Sequence, residues 1–521
     1  MDAGKSPVLR ISFYMFKSGY CFILVLLLAA CTLGPDPEEK PPVPIEETRG
    51  FINDIYMGQN SQSISRWWER LNDPLFSSYV DRLLVQNLDI QQAGERVIQA
   101  RERVNTAYGS FYPTLGLDGS AARRFSPVES TAQNDRVYSN AYSAEANASW
   151  QIDLFGQLRR GAQSADASFQ ATLFDREALI HSMIAQLLRT RVAIAVNKEL
   201  LDLAHQNTDN REKIYNIVNN RYSLGISETS AGNILLAKEN YTSTKADTYR
   251  YERLLAGQLY NLDLLLGLLP GTTDPLAEDF TLMAPPLDVP VCLAADLIDR
   301  RPDLRASALR VQAANADIGV AMADLYPSLN LAASLGFSDD DRYNVFTAEQ
   351  LAGSILGAIT TRIFEGGKLR SNIRLQESEA RELSAAYAYD ILNAVREVET
   401  ALKSEQEFIR EIAYLEDSAQ ALKKADDIQQ ERYLSGILDL RELLETQQRR
   451  YATQQSLLLK RQERWNNRID LYLALGGDWL ANKREEDALS DVPPTPLPCG
   501  TSKTLSQNTF AMMTNTKGTE L

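Results

Sequence analysis

The side chains that most often perform chemistry are scarce in this chain of 521 residues. It contains two histidines, His181 and His205, and four cysteines, with no CxxC pair among them. A zinc or redox site needs several such ligands at close spacing, and no P-loop, GxSxG or HExxH sequence is present. We therefore predict no catalytic residue, metal or cofactor. The formal net charge of -15 also argues against nucleic-acid binding, which needs a basic surface.

One cysteine stands where a covalent modification is expected. A basic segment with Lys5, Arg10 and Lys17 precedes an apolar stretch of about residues 20–30, and small residues stand directly before Cys31. This order is typical of a secretory signal, and the stretch is too short for an ordinary transmembrane helix. Small residues before a Cys resemble the bacterial lipobox, whose Cys becomes the lipidated first residue of the mature protein. A plain signal peptide with an incidental Cys is the alternative.

The N-terminal boundaries follow from this interpretation. We predict a signal peptide over residues 1–30 and a lipid on Cys31, with Met15 as an alternative start. Residues 31–65 are rich in Pro and acidic residues, which favours an extended tether between the lipid and the fold. Thr32 after the cysteine resembles the sorting of lipoproteins to the outer membrane.

Charged and aromatic side chains recur at two similar turns, Arg221-Tyr222-Ser223-Leu224-Gly225-Ile226 and Arg432-Tyr433-Leu434-Ser435-Gly436-Ile437. Acidic residues follow the turns: Glu228 after the first, and Asp439, Glu442 and Glu445 after the second. In a three-fold assembly each acid becomes a ring of three. Charge rings at a constriction bind or select cations, and close like charges raise carboxylate pKa values. The simpler alternative is that Asp439 caps the next helix and that the two following glutamates are solvated.

These turns belong to an internal duplication. Three further motif pairs recur in the same order: Tyr112-Pro113-Thr114-Leu115 with Tyr326-Pro327-Ser328-Leu329, Phe155-Gly156 with Phe364-Glu365-Gly366, and Leu266-Gly267 with Leu475-Gly476. The spacing is always about 210 residues. We therefore predict two copies of one unit, residues 66–285 and 286–480, followed by a polar tail over residues 481–521.

Each copy is predicted to contain a helix followed by two strands. Helical patterns cover about residues 74–110 and 302–325. The strand patterns cover about residues 114–121, 142–153, 328–337 and 351–363. In the clearest of them, 142–153, apolar and polar residues alternate over about 10 positions, as in a membrane barrel strand between lipid and a watery lumen. A soluble, half-buried sheet is the alternative interpretation.

Very long helices are predicted after each pair of strands. The chain has neither Gly nor Pro between Gly161 and Gly225 or between Gly367 and Gly436. At about 1.5 Å per residue these stretches reach roughly 95–100 Å. Gly225 and Gly436 suit the position just after a helix C-terminus, so two rods are expected to meet at each Arg-Tyr turn.

Four strands per chain leave open edges, which a lipid environment does not tolerate. No later stretch of about 18 consecutive apolar residues exists, so strands are expected to make any membrane crossing. Three chains supply twelve strands and close one barrel. Symmetric closure of this kind predicts a homotrimer.

Several motifs occur in the order found in a known family. They are Trp67-Trp68, Asp73-Pro74, Asn87-Leu88-Asp89, Trp150-Gln151-Ile152-Asp153-Leu154-Phe155-Gly156, Asp299-Arg300-Arg301-Pro302-Asp303, Ile318-Gly319-Val320-Ala321 and Leu471-Tyr472-Leu473-Ala474-Leu475-Gly476-Gly477-Asp478-Trp479. Over about residues 66–480 the chain resembles the TolC-like outer-membrane lipoproteins of tripartite efflux systems. The resemblance implies an α+β membrane protein with a trimeric twelve-stranded outer-membrane β-barrel above a long periplasmic α-helical barrel.

The resemblance also implies partners, and it implies a role for the two Arg-Tyr turns and the acids after them, which would lie at the periplasmic tip. The partners are an inner-membrane pump, a periplasmic adaptor and outer-membrane lipid, and the function is a passive exit duct for drugs or other small toxic compounds. The acids after the turns then line the periplasmic gate, while Arg and Tyr of the turns link neighbouring helix hairpins in the closed state. Two alternatives remain, a duct for type I protein secretion and a non-conducting, lipid-anchored periplasmic scaffold.

Overall fold

A computed structural model describes residues 32–36, 50–52, 68, 73–127, 136–225, 230–274, 285 and 296–476. Cys31 and Glu228 lie outside the described residues, as do the predicted signal peptide, most of the predicted tether and the C-terminal tail.

In the first half of the chain, the described residues form four helices and two strands. They are α1 (Pro74–Gln86), α2 (Leu88–Gly109), β1 (Thr114–Pro127), β2 (Arg136–Ile152), α3 (Gln157–Ser223) and α4 (Ala231–Leu265). The single helix predicted over residues 74–110 is in fact two, because Asn87 leaves the helical conformation and its side chain accepts hydrogen bonds from the backbone N–H groups of Asp89 and Ile90. This N-cap starts a new helix in place of continuing the first.

The second half repeats the same order of elements. They are α5 (Asp296–Arg300), α6 (Pro302–Ala323), β3 (Ser328–Asp339), β4 (Leu351–Thr360), α7 (Lys368–Leu434) and α8 (Leu440–Ala474). The long helices α3 and α7 have 67 residues each, and α4 and α8 have 35 each. At about 1.5 Å per residue a helix of this greater length extends roughly 100 Å, as the stretches free of Gly and Pro predicted.

The four strands form one antiparallel sheet in the order β1-β2-β3-β4. The central pairing joins the two halves of the chain, with Tyr142 opposite Asp339 and Ile152 opposite Leu329. The β1–β2 hairpin is longer than the alternation predicted, since its ladder continues from Ala121 to Pro127. Strand β4 ends at Thr360, three residues before the predicted end. Strands β1 and β4 are the edges of this sheet.

The helices pack as two antiparallel hairpins, α3 with α4 and α7 with α8, and α3 also contacts α8 and α6. Helix α3 lies at the centre of the main apolar core, where Ile184, Leu187 and Leu188 are almost fully buried. It also contains a window with a mean hydropathy of 1.3, high enough for a membrane-spanning helix by length and composition, but 67% of that window is buried inside the protein. We interpret it as a core helix.

Candidate functional site

The sheet has two chemically different faces. The first carries apolar side chains, namely Leu115, Leu117, Ala146, Ala148, Leu331, Ala333, Leu335, Ile355 and Ile359. The second is mostly polar and includes Asp118, Ser120, Ser143, Glu145, Asn147, Ser149, Asn330, Ser334 and Ser354. The largest side chains of the apolar face are exposed, with Leu117 at 87% and Ile355 at 89%. An exposed apolar face on a sheet needs a partner or a lipid environment.

Side chains on the polar face bind one another across the strands. Asn147 donates to Asp118 at 2.7 Å, and the hydroxyls of Ser120 and Ser143 lie 2.8 Å apart. On the apolar face Trp150 lies near the helices, where its indole N–H donates to the carbonyl oxygen of Phe111 at 2.8 Å. Aromatic residues at the ends of an apolar band are typical of a membrane–water interface.

At the opposite end of the molecule from the sheet, each helix hairpin turns at one of the Arg-Tyr sequences. Gly436 adopts a left-handed conformation with φ 76, which glycine accepts without strain. Its N–H donates to the carbonyl of Tyr433 at 3.1 Å, and the N–H of Ile437 donates to that of Arg432 at 2.9 Å. This pair of bonds is a Schellman motif. Gly225 ends α3 in a similar way, with φ 69.

The two turns are joined within one chain by Arg221 and Tyr433. The Arg221 guanidinium lies 5.1 Å from the centre of the Tyr433 ring. It donates to the carbonyl of Leu434 at 3.0 Å, in the last turn of α7. A cation is favourable there because the C-terminus of a helix is its negative end. Burial raises the pKa of the Tyr433 hydroxyl, against the lowering effect of Arg221.

The other predicted tip residues have mixed environments. Asp439 is exposed and N-caps α8, accepting from the N–H of Arg441 at 2.8 Å. Glu442 is exposed in the first turn of α8, and Glu445 is ion-paired with Arg449 at 2.6 Å.

Tyr222 is 48% exposed, in contrast to the buried Tyr433. Arg432 is exposed and makes no side-chain hydrogen bond or ion pair within the described part of the chain. Arg221 and Tyr433 therefore meet, whereas Tyr222 and Arg432 do not take part in that contact.

A buried charge joins the hairpins farther along the rods. Arg211 on α3 is 1% exposed, and burial lowers its pKa to about 10 against the attraction of Asp426 and Glu239. Its Nη2 donates to the carbonyl of Leu444 at 3.4 Å, and Asp426 accepts from Arg450 at 2.5 Å. Separating the hairpins would break the contact between Arg211 and Leu444, whereas Asp426 and Arg450 pair within the α7–α8 hairpin.

The segment after Cys31 is docked, which the predicted tether did not anticipate. The buried Arg160 donates through Nε to the carbonyl of Leu33 at 2.9 Å and through Nη2 to that of Gly34 at 3.4 Å. A Cβ on Gly34 would lie 2.6 Å from the Cα of Gly319. This fit holds the start of the described chain at the junction of β2 and α3. No local sequence pattern indicates this docking, since the partners are far apart in the chain.

The described residues contain no group of three His, Cys, Asp or Glu side chains that could hold a metal ion. His181 and His205 both lie on α3, separated by roughly 36 Å at about 1.5 Å per residue, and cannot share an ion.

Comparisons with known proteins agree with this architecture. The family model described as outer membrane efflux protein matches residues 79–268 and 293–477. The solvent efflux pump outer membrane protein SrpC of Pseudomonas putida is 27% identical over 473 residues, 90% of this chain and 99% of SrpC. The probable outer membrane lipoprotein SilC of Salmonella typhimurium is 24% identical over 461 residues, 88% of this chain and 97% of SilC.

The crystal structure of the Campylobacter jejuni CmeC outer membrane channel has a similar fold, with a TM-score of 0.76 and 22% identity over 88% of this chain and 98% of CmeC. The TolC-like resemblance is thereby confirmed. The family model covers more than half of the chain. The protein is an outer-membrane component of an efflux system, and it belongs to the outer membrane efflux protein family.

Proposed function

We propose that this protein is the passive exit duct of a tripartite efflux system that discharges drugs or other small toxic compounds outside the cell. The main support is the combination of two features in one chain. One is a four-stranded sheet with an apolar and a polar face, and the other is a pair of helix hairpins, each containing a 67-residue helix. A sheet of this kind suits a barrel wall, and rods of roughly 100 Å suit a tube that reaches across a compartment. The polar faces of the strands line the lumen.

The barrel is a homotrimer of twelve strands. Among the described residues, each chain has two strand edges without a neighbour, β1 and β4, and lipid does not tolerate unpaired backbone groups. Pairing β1 of one chain with β4 of the next satisfies both edges, and three-fold closure ends the series.

The two halves are copies of one duplicated unit, residues 66–285 and 286–480. Equal lengths of the corresponding helices support this, 22 residues in α2 and α6 as well as 67 and 35 in the hairpins. Left-handed glycines also stand at matching ends, Gly267 after α4 and Gly476 after α8.

The N-terminus supplies a lipid anchor. A signal peptide over residues 1–30 is removed, Cys31 carries the lipid, and residues 481–521 form a polar tail. Docking of Leu33 and Gly34 on Arg160 supports this arrangement, because it holds the residues next to Cys31 beside the base of the sheet.

The Arg-Tyr turns form the closed gate at the periplasmic tip, where the adaptor and the inner-membrane pump engage the duct. The contact between Arg221 and Tyr433 supports a latch between the two hairpins of one chain. Asp439, Glu442 and Glu445 then form charge rings near the opening, together with Glu228 from the first turn. Arg432 and Tyr222 remain candidates for contacts between neighbouring chains.

Deletion of the gene tests the function. Susceptibility is measured to a panel of antibiotics, dyes, bile salts, organic solvents and metal ions, with and without a plasmid copy. Hypersensitivity to a compound class that the plasmid reverses is the expected result. An unchanged panel in a strain lacking other ducts of this type would contradict export of small toxic compounds. Secretion of a protein lost on deletion would favour the secretion alternative.

A further inference from the structure

Two arginines meet two aromatic rings at the end of the β1–β2 hairpin that lies away from the helices. The guanidinium carbon of Arg123 lies 4.7 Å from the centre of the Tyr138 ring, and that of Arg136 lies 5.3 Å from the centre of the Phe125 ring. The two ring centres are 6.3 Å apart. We call Arg123 and Arg136 the outer arginine pair.

The strand register puts this cluster on the apolar face of the sheet. Phe125 pairs with Tyr138, and residues at two-position steps along β1 lead back to Leu117 and Leu115. Successive side chains of a strand alternate between faces, so all of these residues share the face that looks toward lipid in the barrel proposed above. Arg124 stands on the opposite, polar face.

The two guanidinium groups approach the rings from opposite directions. Arg123 pairs with Asn140, which is two residues closer to the helices than the pair of Phe125 and Tyr138. The Arg123 side chain therefore reaches toward the hairpin turn. A long cationic side chain at a membrane edge is expected to extend its charge toward water in this way. Arg136 lies one row nearer the turn than Phe125 and reaches back. Both charges therefore converge on one aromatic pair.

No carboxylate neutralises the outer arginine pair within the described residues, where neither side chain forms an ion pair. Both arginines are exposed. Asp339 stands opposite Tyr142 at the outer end of the same face, but its carboxylate accepts a bond from the backbone N–H of Asp341 at 2.6 Å. Two like charges at one place, without an ion-paired carboxylate among the residues that the structure describes, favour an anionic ligand.

An apolar depression lies on the sheet between this cluster and the helices. Its volume is about 930 Å³, and its apolar lining includes Leu115, Leu117, Leu335 and Ile355. These side chains belong to the same face as the outer arginine pair. A ligand that fills both places has an anionic headgroup and a hydrocarbon chain.

We infer that the outer arginine pair, with Phe125 and Tyr138, binds the phosphate of a phosphorylated glycolipid in the outer leaflet, whose acyl chain lies along Leu115 and Leu117. The inference rests on the proposed membrane barrel. Guanidinium groups bind phosphate oxygens through paired, charge-assisted hydrogen bonds. The rings hold the guanidinium planes by cation–π contact while leaving their N–H edges free for the phosphate. Cationic side chains at a membrane surface attract anionic lipid headgroups in the same way.

Binding of purified lipid A tests this site. The full-length protein is purified in mild detergent, freed of bound lipid, and titrated with fluorescently labelled diphosphorylated lipid A. The double variant Arg123→Gln with Arg136→Gln is expected to bind roughly 10- to 30-fold more weakly than the wild type. The matched control, Arg124→Gln, removes the same charge from the polar face one residue away and is expected to change the affinity less than about twofold.

Further measurements test which lipid the site binds, and a separate one tests whether the membrane barrel itself forms. With dephosphorylated lipid A, the wild type and the double variant are expected to bind alike, and with phosphatidylglycerol the double variant is expected to lose much less affinity than with lipid A. Equal binding of diphosphorylated lipid A by wild type and double variant, or an equal loss for Arg124→Gln, would overturn the inference. An equal loss on phosphatidylglycerol would overturn the glycolipid assignment. Conductance of the wild type in planar bilayers is measured in parallel. If the proposed membrane barrel is wrong, the wild type does not conduct. If only the lipid site is wrong, the wild type conducts normally.

Discussion

Arg221 contributes two contacts that hold the tip together. It covers the buried Tyr433 ring and donates to the carbonyl oxygen of Leu434 at 3.0 Å. Both contacts connect α3 to the end of α7. They therefore form only when the two hairpins lie side by side as in this structure. A cation–π contact and a hydrogen bond at a partly exposed place together contribute about 1–2 kcal/mol.

We expect Arg221→Ala to favour the open tip. Loss of about 1–2 kcal/mol from the closed state raises the open-to-closed ratio roughly 5- to 30-fold. Open probability in planar bilayers measures it, and Lys213→Ala, which removes an exposed charge from the same helix, is the control. If Arg221→Ala behaves like the wild type while Arg432→Ala opens the channel, contacts between neighbouring chains, not within one chain, hold the gate.

The tip acids are best tested without disturbing the helix cap. Asn caps a helix about as well as Asp, so Asp439→Asn with Glu442→Gln and Glu445→Gln removes charge and keeps the N-cap of α8. The triple variant is expected to lose cation selectivity, because rings of carboxylates concentrate cations at a constriction.

The reversal potential across a salt gradient measures this selectivity. The control Asp417→Asn lies on α7 about 17 residues before its end, roughly 25 Å from the tip. A reversal potential equal to that of the wild type would remove these acids from the conducting path.

At the scale of elements, the local patterns of the sequence predict the rods and most of the sheet. The absence of Gly and Pro predicts the long helices, and alternation predicts the β3 strand closely. The outer part of the β1–β2 hairpin was missed because residues beyond Ala121, including Arg123 and Arg124, do not alternate; pairing with the opposite strand extends it to Pro127. Here the pairing of the two strands determines the strand length, and the local sequence preference does not.

The contacts between distant parts of the chain were not predictable from local patterns. Arg221 and Tyr433 were both identified as tip candidates, but nothing in either turn says that one binds the other. That contact depends on α3 and α7 having the same length, so that both hairpins end at one level. Docking of Leu33 on Arg160 depends in the same way on packing between elements.

The two faces of the sheet lead to a prediction about assembly. Leu117→Arg puts a charge near the middle of the apolar face, where Leu117 is 87% exposed. A lipid-facing Arg at mid-membrane costs about 2–4 kcal/mol per strand, so little mature protein is expected in the outer membrane. Ser120→Arg puts the same charge on the polar face of the same strand and is expected to assemble.

Membrane fractionation and heat-modifiable migration on gels measure both variants. Normal assembly of Leu117→Arg would contradict a lipid-facing apolar surface. Failure of Ser120→Arg alone would indicate that the two faces are assigned the wrong way round.

The open edges of the sheet support the proposed trimer. A single chain buries the apolar sides of its helices, yet its described residues leave two strand edges and an apolar sheet face without a partner. Helix packing and strand closure thus have different requirements. The hairpins pack within one chain, whereas the proposed barrel would close only when β1 and β4 of different chains pair.

Cysteine pairs across these edges test closure. Leu115→Cys on β1 is combined in turn with Ile355→Cys, Gly357→Cys and Ile359→Cys on β4, which samples the registers that barrel shear allows. A disulfide forms only where the two Cα atoms come within about 7 Å, so oxidation is expected to cross-link in one register and to stop at three chains. Each single cysteine variant controls for links through the native cysteines. A ladder that continues beyond three chains, or that stops at two, would contradict three-fold closure, because every edge in a trimer of four-stranded sheets already has its partner.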